Sequence, residues 1–539
     1  MKFLIQSIAV FLLLGTALAV VYPHERTESY WKSQRENDLL ESINKFSQLN
    51  TNKAKNVIIF IGDGMSIGTT TAGRVYMGQK MGKNGEEHTT TLDQFPHVGT
   101  AKTYSVNSQT PDSAATATAI LTGVKTANGV LGLTSAHQGK CTTNKDVETA
   151  LEKAVKLGKS TGVVTTTRIQ HATPASAYAH IPQRSWYSHV GYGSGCKDIA
   201  QQLFDKRHDI QVLLGGGRVH MHGVTDRDIL DEVGIRETGL RRGFGTNLIQ
   251  RWKDSFGSNV TNLYVKNRQE LDQVDPESTD YLLGLFAPTE MEFRLSNSMR
   301  SQFQPRLPEM VEKAIRVLRK NDEGFFLLVE GGMIDKAHHK TLVKYALEEF
   351  SEFDKAVQVA KQLTSDDDTL IIATADHGHV FTFGNTGGRG TPFSKIMVNN
   401  QIPYNTLGRY YTNTAYGNGP NYNANRTWNS WSKAKRHAES AAYQPLTAVK
   451  RAGETHSAED MIVYASGPMS HLITGVHEQT FIAEVVSHAA CLNPEAGLDF
   501  AHCQPSSEKD KEGGNNGSGE TQINNLLSRL VEEGKEANY

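Results

Sequence analysis

Residues 57–65 read Val-Ile-Ile-Phe-Ile-Gly-Asp-Gly-Met, an apolar run that ends in an aspartate between two glycines. Such an unbroken apolar run predicts a strand that is buried on both faces, as strands of parallel sheets are. Ligand sites in these sheets lie beyond the carboxyl ends of the strands. Asp63 is therefore a candidate ligand residue, although in isolation it is better explained as a turn residue.

Apolar, β-branched runs recur along the chain at 161–165, 212–214, 325–329, 370–373 and 461–465. Helical patterns, as at 147–157 and 342–363, lie between some of them. This alternation predicts an α/β fold with a large, mostly parallel central sheet flanked by helices. Further candidates follow the predicted strands: Glu330 after 325–329, and Asp376-His377 after 370–373.

Composition restricts the class of protein. The 539 residues are 38% hydrophobic and 21% charged, which suits a soluble globular chain with a sizeable core. The formal net charge of −2 does not favour a nucleic-acid binder, which usually carries a basic patch.

The N-terminus has the pattern of a secretory signal peptide. Lys2 precedes a mostly apolar stretch at 3–14, and Ala17-Leu18-Ala19 offers a small-x-small cleavage site. We expect residues 1–19 to be removed and the protein to be secreted. An uncleaved anchor is the weaker alternative, because the apolar run is too short to span a membrane.

The cysteines and sequons agree with an extracellular location. Four cysteines predict two disulfides, and sequence alone allows three pairings; Cys491 with Cys503 is the local one, which leaves Cys141 with Cys196. Glycosylation sequons begin at Asn259, Asn425 and Asn516.

Two segments differ from the rest in composition. Residues 385–451 are rich in Gly, Asn, Tyr and Ser and indicate a loop-rich insertion. The polar residues 505–539 indicate a mostly disordered tail, with a short helix possible near its end.

A serine precedes a run of small residues in Thr110-Pro111-Asp112-Ser113-Ala114-Ala115. An isolated serine there is most simply a helix N-cap. A helix N-terminus also favours bound phosphate, and Ser113 could act as a nucleophile if a metal lowered the pKa of its hydroxyl.

Histidines and carboxylates with metal-ligand spacing occur in three places. Asp335 and His339 are four residues apart, so on a helix they share one face. Adjacent Asp376 and His377 could both reach one ion, and His456 lies before the strand at 461–465. Each pattern is common by chance, but together they supply mixed His and Asp ligands suited to zinc and all-oxygen ligands suited to magnesium.

These motifs, in this order, resemble those of the alkaline phosphatases in their animal secreted form, over nearly the whole chain. The matching motifs are Gly62-Asp63-Gly64-Met65, Pro111-Asp112-Ser113-Ala114, Arg168-Ile169-Gln170-His171-Ala172, Arg184-Ser185-Trp186-Tyr187, the stretch 325–335, Ala375-Asp376-His377, Tyr416-Gly417-Asn418-Gly419-Pro420 and Gly453-Glu454-Thr455-His456.

The resemblance implies two zinc ions, one magnesium ion and a phosphoserine at residue 113. One zinc would be held by Asp335, His339 and His456. The other would be held by Asp63, Asp376 and His377, with Ser113 completing the set. Magnesium would be held by Asp63, Thr173 and Glu330. Arg184 would bind the phosphate of broadly varied phosphate monoesters.

The chain departs from this family at several positions. Lys336 stands where animal relatives usually have His, whereas His171 is animal-like; this pair should affect the pH optimum, phosphate release and metal affinity. In the resemblance, Ala287 and Gln302 stand at positions of acidic calcium ligands of vertebrate relatives, so we expect no calcium site. The polar C-terminus shows no lipid-anchor signal.

The resemblance also implies a homodimer, with an N-terminal arm at 29–46 and the insertion at 385–451 forming a crown. Two competing interpretations remain from the sequence alone. A sulfatase of the same superfold would carry a Cys/Ser-x-Pro-x-Arg pattern, whereas Ser113 is followed by Ala114-Ala115. A phosphodiesterase of that superfold would typically use a threonine nucleophile and lack the equivalents of Thr173, Glu330 and Arg184. A non-catalytic binding protein would have lost a ligand or the nucleophile.

Overall fold

The computed structural model describes residues 28, 30, 32, 35 and 49–503, with gaps at 143–146, 190–194, 227–229, 242–246, 385–387, 393–411, 423–438 and 494–500. The predicted signal peptide, most of the arm at 29–46 and the tail at 505–539 lie outside the described residues. The chain has a main unit at 1–493 and a second unit at 494–539, in which only the turn Ala501–Cys503 is described.

The described strands are β1 Asn56–Ile61, β2 His97–Lys102, β3 Ser160–Arg168, β4 Val212–Gly216, β5 Asn262–Val265, β6 Tyr281–Leu285, β7 Phe325–Glu330, β8 Thr369–Thr374, β9 Gly378–His379, β10 Phe381–Phe383, β11 Thr414–Gly419, β12 Thr447–Lys450, β13 His456–Ser457, β14 Met461–Ser466 and β15 Gly475–Glu478. The α-helices are α1 Ile67–Lys80, α2 Ser113–Thr122, α3 Ala150–Lys156, α4 Ala172–Ala175, α5 Ile199–Asp205, α6 Leu248–Lys253, α7 Arg268–Asp272, α8 Met299–Phe303, α9 Leu307–Leu318, α10 Met333–His339, α11 Val343–Leu363 and α12 Phe481–Ala490.

The described residues form one ten-stranded sheet in the order β15-β2-β14-β8-β1-β7-β3-β4-β6-β5. Its pairs are parallel except for those that β14 makes with β8 and β2. All six apolar runs identified in the sequence are strands of this sheet, so the predicted α/β fold with a mostly parallel sheet is confirmed.

Strand β1 shows why the sheet is covered on both faces. Val57, Ile59 and Ile61 pack into one hydrophobic cluster with α12, whereas Ile58 and Phe60 pack into a second cluster with α9 and α11. Burying one such side chain contributes about 1.5–3 kcal/mol, so a continuously apolar strand is stable only between two layers of helices.

Covalent links agree with the sequence analysis. Cys141 is bonded to Cys196, which confirms that pairing. The described parts of the insertion at 385–451 include β11 and β12, which join β10 in a three-stranded sheet. Across the described residues, we find no helix with the length and apolar character needed to cross a membrane.

Candidate active site

The carboxyl edge of the central sheet gathers most of the candidate residues. Asp63 follows β1, Glu330 ends β7, and Asp376-His377 follows β8. Because β14 runs antiparallel to β8, the segment before it, which carries His456, reaches the same edge.

The first group of donor atoms consists of Asp335 Oδ1, His339 Nε2 and His456 Nε2. Asp335 Oδ1 lies 3.2 Å from His339 Nε2 and 3.3 Å from His456 Nε2, and the two imidazole nitrogens are 3.2 Å apart. Ligand atoms about 2.0–2.1 Å from one tetrahedral zinc ion stand about 3.3 Å apart. The three atoms therefore have the spacing of one face of a zinc tetrahedron, with a fourth position left for water or substrate.

Hydrogen bonds fix the orientation of both imidazoles in this group. His339 Nδ1 lies 2.6 Å from the Glu454 carbonyl oxygen, and His456 Nδ1 lies 2.9 Å from that of Pro111. Since a carbonyl can only accept, each Nδ1 carries the proton and each Nε2 keeps its lone pair for a metal.

The second group joins Asp63, Asp376 and His377 to Ser113. His377 Nε2 lies 3.2 Å from Ser113 Oγ, 3.5 Å from Asp63 Oδ1 and 3.3 Å from Asp376 Oδ2, and Ser113 Oγ lies 3.4 Å from Asp63 Oδ1. Burial, followed by the charge of Asp376, raises the pKa of Asp63 well above its ordinary value. A bound cation would reverse this effect by favouring the charged carboxylate.

Three further buried oxygens have no hydrogen-bond partner: Asp63 Oδ2, Thr173 Oγ1 and Glu330 Oε1. Asp63 and Glu330 each offer a carboxylate oxygen, and His171 a ring nitrogen, within 4.8 Å of one another. The other carboxylate oxygen of Glu330 accepts bonds from the hydroxyls of Thr165 and Thr167, which hold the carboxyl group in place. Buried polar atoms are normally hydrogen-bonded, so these oxygens suit an oxygen-preferring ion such as magnesium.

Ser113 is the first residue of α2 and not its N-cap. The cap is Asp112, whose Oδ1 accepts from the Ala115 amide at 3.1 Å. The simplest interpretation of the serine as a cap is therefore wrong. Capping by Asp112 leaves the Ser113 hydroxyl free to face the second group.

Two basic side chains and one imidazole lie beside these groups. Arg184 Nη1 donates to Asp112 Oδ2 at 3.0 Å, and its Nη2 lies 3.1 Å from His171 Nε2. Lys336 Nζ lies 3.2 Å from His171 Nε2 and 3.2 Å from Asp335 Oδ2. Burial and then the charges of Lys336 and Arg184 hold the pKa of His171 well below its ordinary value, so its Nε2 accepts from both cations.

His379 and Glu454 are functional candidates that were not predicted from the sequence. His379 Nε2 lies 2.9 Å from Asp335 Oδ1, and its Nδ1 is bonded to Glu454 Oε2. Gly64 makes room for this ring, because a Cβ there would lie 2.5 Å from His379. The alternation of His377 and His379 around Gly378 was the available signal, but Glu454 is distant in sequence.

The alkaline phosphatase family model matches residues 54–492. The chain belongs to the alkaline phosphatase family. Tissue-nonspecific alkaline phosphatases are 43% identical to it in Felis catus and 42% in Homo sapiens, each over 506 residues that cover 92% of this chain and 94% of the relative. An alkaline phosphatase of Gadus morhua is 40% identical over 87% of this chain and 99% of that protein. The chain is therefore a phosphatase, which disfavours the non-catalytic interpretation.

Solved structures support the fold. The alkaline phosphatase of the Antarctic bacterium TAB5 superimposes with a TM-score of 0.56 at 22% identity, over 82% of this chain and 99% of that one. The Thermus thermophilus alkaline phosphatase gives 0.58 at 20% identity, over 82% and 93%. As an alkaline phosphatase, the chain depends on metal ions, and the donor groups described above are candidate sites for them.

Proposed function

We propose that this phosphatase hydrolyses phosphate monoesters at alkaline pH through a phosphoserine at Ser113, with two zinc ions and one magnesium ion. The observation that carries the proposal is the position of Ser113 Oγ, 3.2 Å from His377 Nε2 within a set of donor atoms spaced for tetrahedral zinc. Asp335, His339 and His456 would hold one zinc, and Asp63, Asp376 and His377 the other. Asp63, Thr173 and Glu330 would hold magnesium.

Bound zinc would stabilise the alkoxide or hydroxide that attacks phosphorus and the oxygen that leaves it. Ser113 loses its hydroxyl proton to solvent water, its Oγ attacks phosphorus in line to form the bond from Oγ to phosphorus, and the bond to the alcohol oxygen breaks. The alcohol leaves with a proton from water. Attack by hydroxide then breaks the bond between phosphorus and Oγ, and inorganic phosphate is released.

Arg184 binds two oxygens of the transferred group with its planar guanidinium. Asp112 orients that guanidinium, and Lys336 adds a second positive charge beside His171. Burial acts to lower the pKa of Lys336, but the charges of Asp335 and Asp63 outweigh it and raise this pKa. Since these groups contact only the phosphoryl group, we expect broad specificity for the alcohol.

Further inferences concern the location, the assembly and the domain bounds of the protein. We infer a secreted, glycosylated homodimer without nucleic-acid ligands. Its catalytic domain would span 20–504, with a crown-like insertion at 385–451.

We also propose that the enzyme has no calcium site near Ala287. Arg218 is 1% exposed; its Nη2 lies 2.7 Å from Glu232 Oε2 and 2.8 Å from Glu237 Oε1, and its Nη1 donates to the Leu285 carbonyl. A fixed cation thus already pairs with both carboxylates beside this strand end.

The test is hydrolysis of p-nitrophenyl phosphate across the alkaline range by the secreted protein, before chelation, after it, and after zinc and magnesium are restored. Brief exposure to labelled phosphate followed by acid quenching should leave the label on Ser113. S113A should bind the same amount of metal but lose about 10³-fold or more in kcat. Full activity in S113A, or no activity in the fully metallated enzyme, would contradict the proposal.

A further inference from the structure

A surface turn joins α6 to the edge strand β5 and contains the sequon Asn259-Val260-Thr261. The Val260 amide donates to the Gly257 carbonyl at 3.0 Å, which closes the turn, and the Asn259 side chain is exposed. The sequons at Asn425 and Asn516 fall outside the described residues. The structure thus gives Asn259 the accessible, turn-borne position that attachment of a sugar requires.

Thr261, the third residue of the sequon, is held through its backbone. Its amide donates to Asp280 Oδ2 at 2.8 Å, and its carbonyl accepts from the Asp280 amide at 2.9 Å. No hydrogen bond described for this part of the chain uses the Thr261 hydroxyl. The hydroxyl that a glycosylating enzyme must recognise is therefore accessible, while the backbone beside it is fixed.

An aromatic ring stands three residues before the acceptor. Phe256 packs on Tyr281 at 4.4 Å and on Trp252 at 5.0 Å between ring centroids, and part of its surface remains exposed. Such a rigid ring offers apolar area to the C–H face of a first sugar at low entropic cost.

Strand β5 is the last strand of the central sheet. It pairs with β6 from Asn262 opposite Tyr281 to Val265 opposite Gly284, and the sheet order ends there among the described residues. An open edge presents backbone groups that can pair with a strand of another chain, and proteins obstruct such edges with bulky or charged groups.

We propose that Asn259 carries an N-linked glycan and that this glycan covers the open sheet edge at β5. In the transfer, Asn259 Nδ2 forms a bond to C1 of an oligosaccharide, the bond from C1 to a lipid diphosphate breaks, and Nδ2 loses one proton. The lipid diphosphate is the leaving group. The inference rests on the proposed secretion, because the glycosylating enzymes act in the secretory pathway.

The test uses the full chain expressed in insect cells, with the secreted protein treated with peptide N-glycosidase in heavy-oxygen water and mapped by mass spectrometry. Residue 259 should appear as labelled aspartate in the wild type and in T261S, which keeps the sequon. It should remain unlabelled in T261A. An unlabelled wild type with full phosphatase activity would overturn the inference alone, whereas a labelled but inactive protein would overturn only the proposed function.

The shielding role is tested by comparing aggregation of T261A with that of T261S, since both change the same threonine and only one loses the glycan. We expect T261A to aggregate about two-fold faster or more at equal concentration. Equal rates would overturn the shielding role.

Discussion

The Nε2 atom of His379 lies 2.9 Å from Oδ1 of Asp335, the same oxygen that faces His339 and His456. The other ring nitrogen of His379 is bonded to Glu454. Burial acts to lower the pKa of His379, but Glu454 and Asp335 raise it to about 9, so the ring donates from both nitrogens at neutral pH. His379 is thus a positioning residue behind a candidate metal ligand.

H379A should weaken zinc binding at the site of Asp335, His339 and His456. Groups that orient metal ligands typically contribute about 10–100-fold in affinity, and we expect a loss in that range. The measurement is competition between the apoprotein and a chromogenic zinc chelator, with circular dichroism to verify folding. H189A, which removes an exposed imidazole, is the matched control. An unchanged competition curve for H379A would mean that other groups hold Asp335.

Asp112 couples the nucleophile helix to the phosphate-binding arginine. One oxygen caps α2 through Ala115, and the other accepts from Gly129 and Arg184 at 3.0 Å each. D112N keeps a capping oxygen but turns an amide donor toward those two donors. We therefore expect the inhibition constant for phosphate to rise about ten-fold, since a hydrogen bond to a charged group contributes about 1.5–3 kcal/mol.

D112A should weaken phosphate binding similarly and also lower the free energy of unfolding by about 1 kcal/mol, because it removes the cap. The comparison needs phosphate inhibition and urea unfolding for both variants. The double variant D112N/R184A completes the comparison. If D112N raises the inhibition constant for phosphate by the same factor in R184A as in wild type, Asp112 does not act through Arg184.

The sequence predicted the sheet, and it predicted that several candidate residues lie at the carboxyl edge of that sheet, because both depend on local patterns. An apolar run such as 57–61 predicts a buried strand, and a residue directly after it, such as Asp63, must lie at the carboxyl edge. The roles of Thr173 and Arg184 came only from the family resemblance. The link from Asp335 through His379 to Glu454 could not be predicted, because it depends on how distant segments pack.

Glu349 should make the enzyme less stable as pH rises. It is 7% exposed and accepts from the Arg294 amide at 2.6 Å, and burial raises its pKa from 4.5 to about 8. Between these values the unfolded chain loses the proton and the folded chain keeps it, so stability falls with pH and then levels off. E349Q keeps an acceptor oxygen and does not titrate. Its free energy of unfolding should therefore rise relative to that of wild type by about 1.4 kcal/mol per pH unit between about pH 5 and about pH 8.

Glu352, one turn further along α11, provides a control of opposite sign. Burial acts to raise its pKa, but bonds from Arg306 and Lys355 outweigh this and lower it. Its stabilising effect is present above the unfolded pKa and is lost as pH falls through the folded one. E352Q should therefore be less stable than wild type near neutrality and converge with it in acid. Urea unfolding at several pH values tests both variants, and parallel pH profiles for E349Q and wild type would contradict the assignment.

The buried cluster of Arg218, Glu232 and Glu237 predicts that calcium has no effect on stability. Because the guanidinium already pairs with both carboxylates, adding calcium to the enzyme loaded with zinc and magnesium should leave the unfolding temperature unchanged. R218M fills a similar volume but leaves two buried charges unpaired, which should cost about 3–5 kcal/mol. R218M/E232Q/E237Q removes those charges and should recover much of that loss. A calcium-dependent rise in the unfolding temperature of the wild type would show that an ion binds despite Arg218. Equal stability of R218M and wild type would show that the cluster does not stabilise this region.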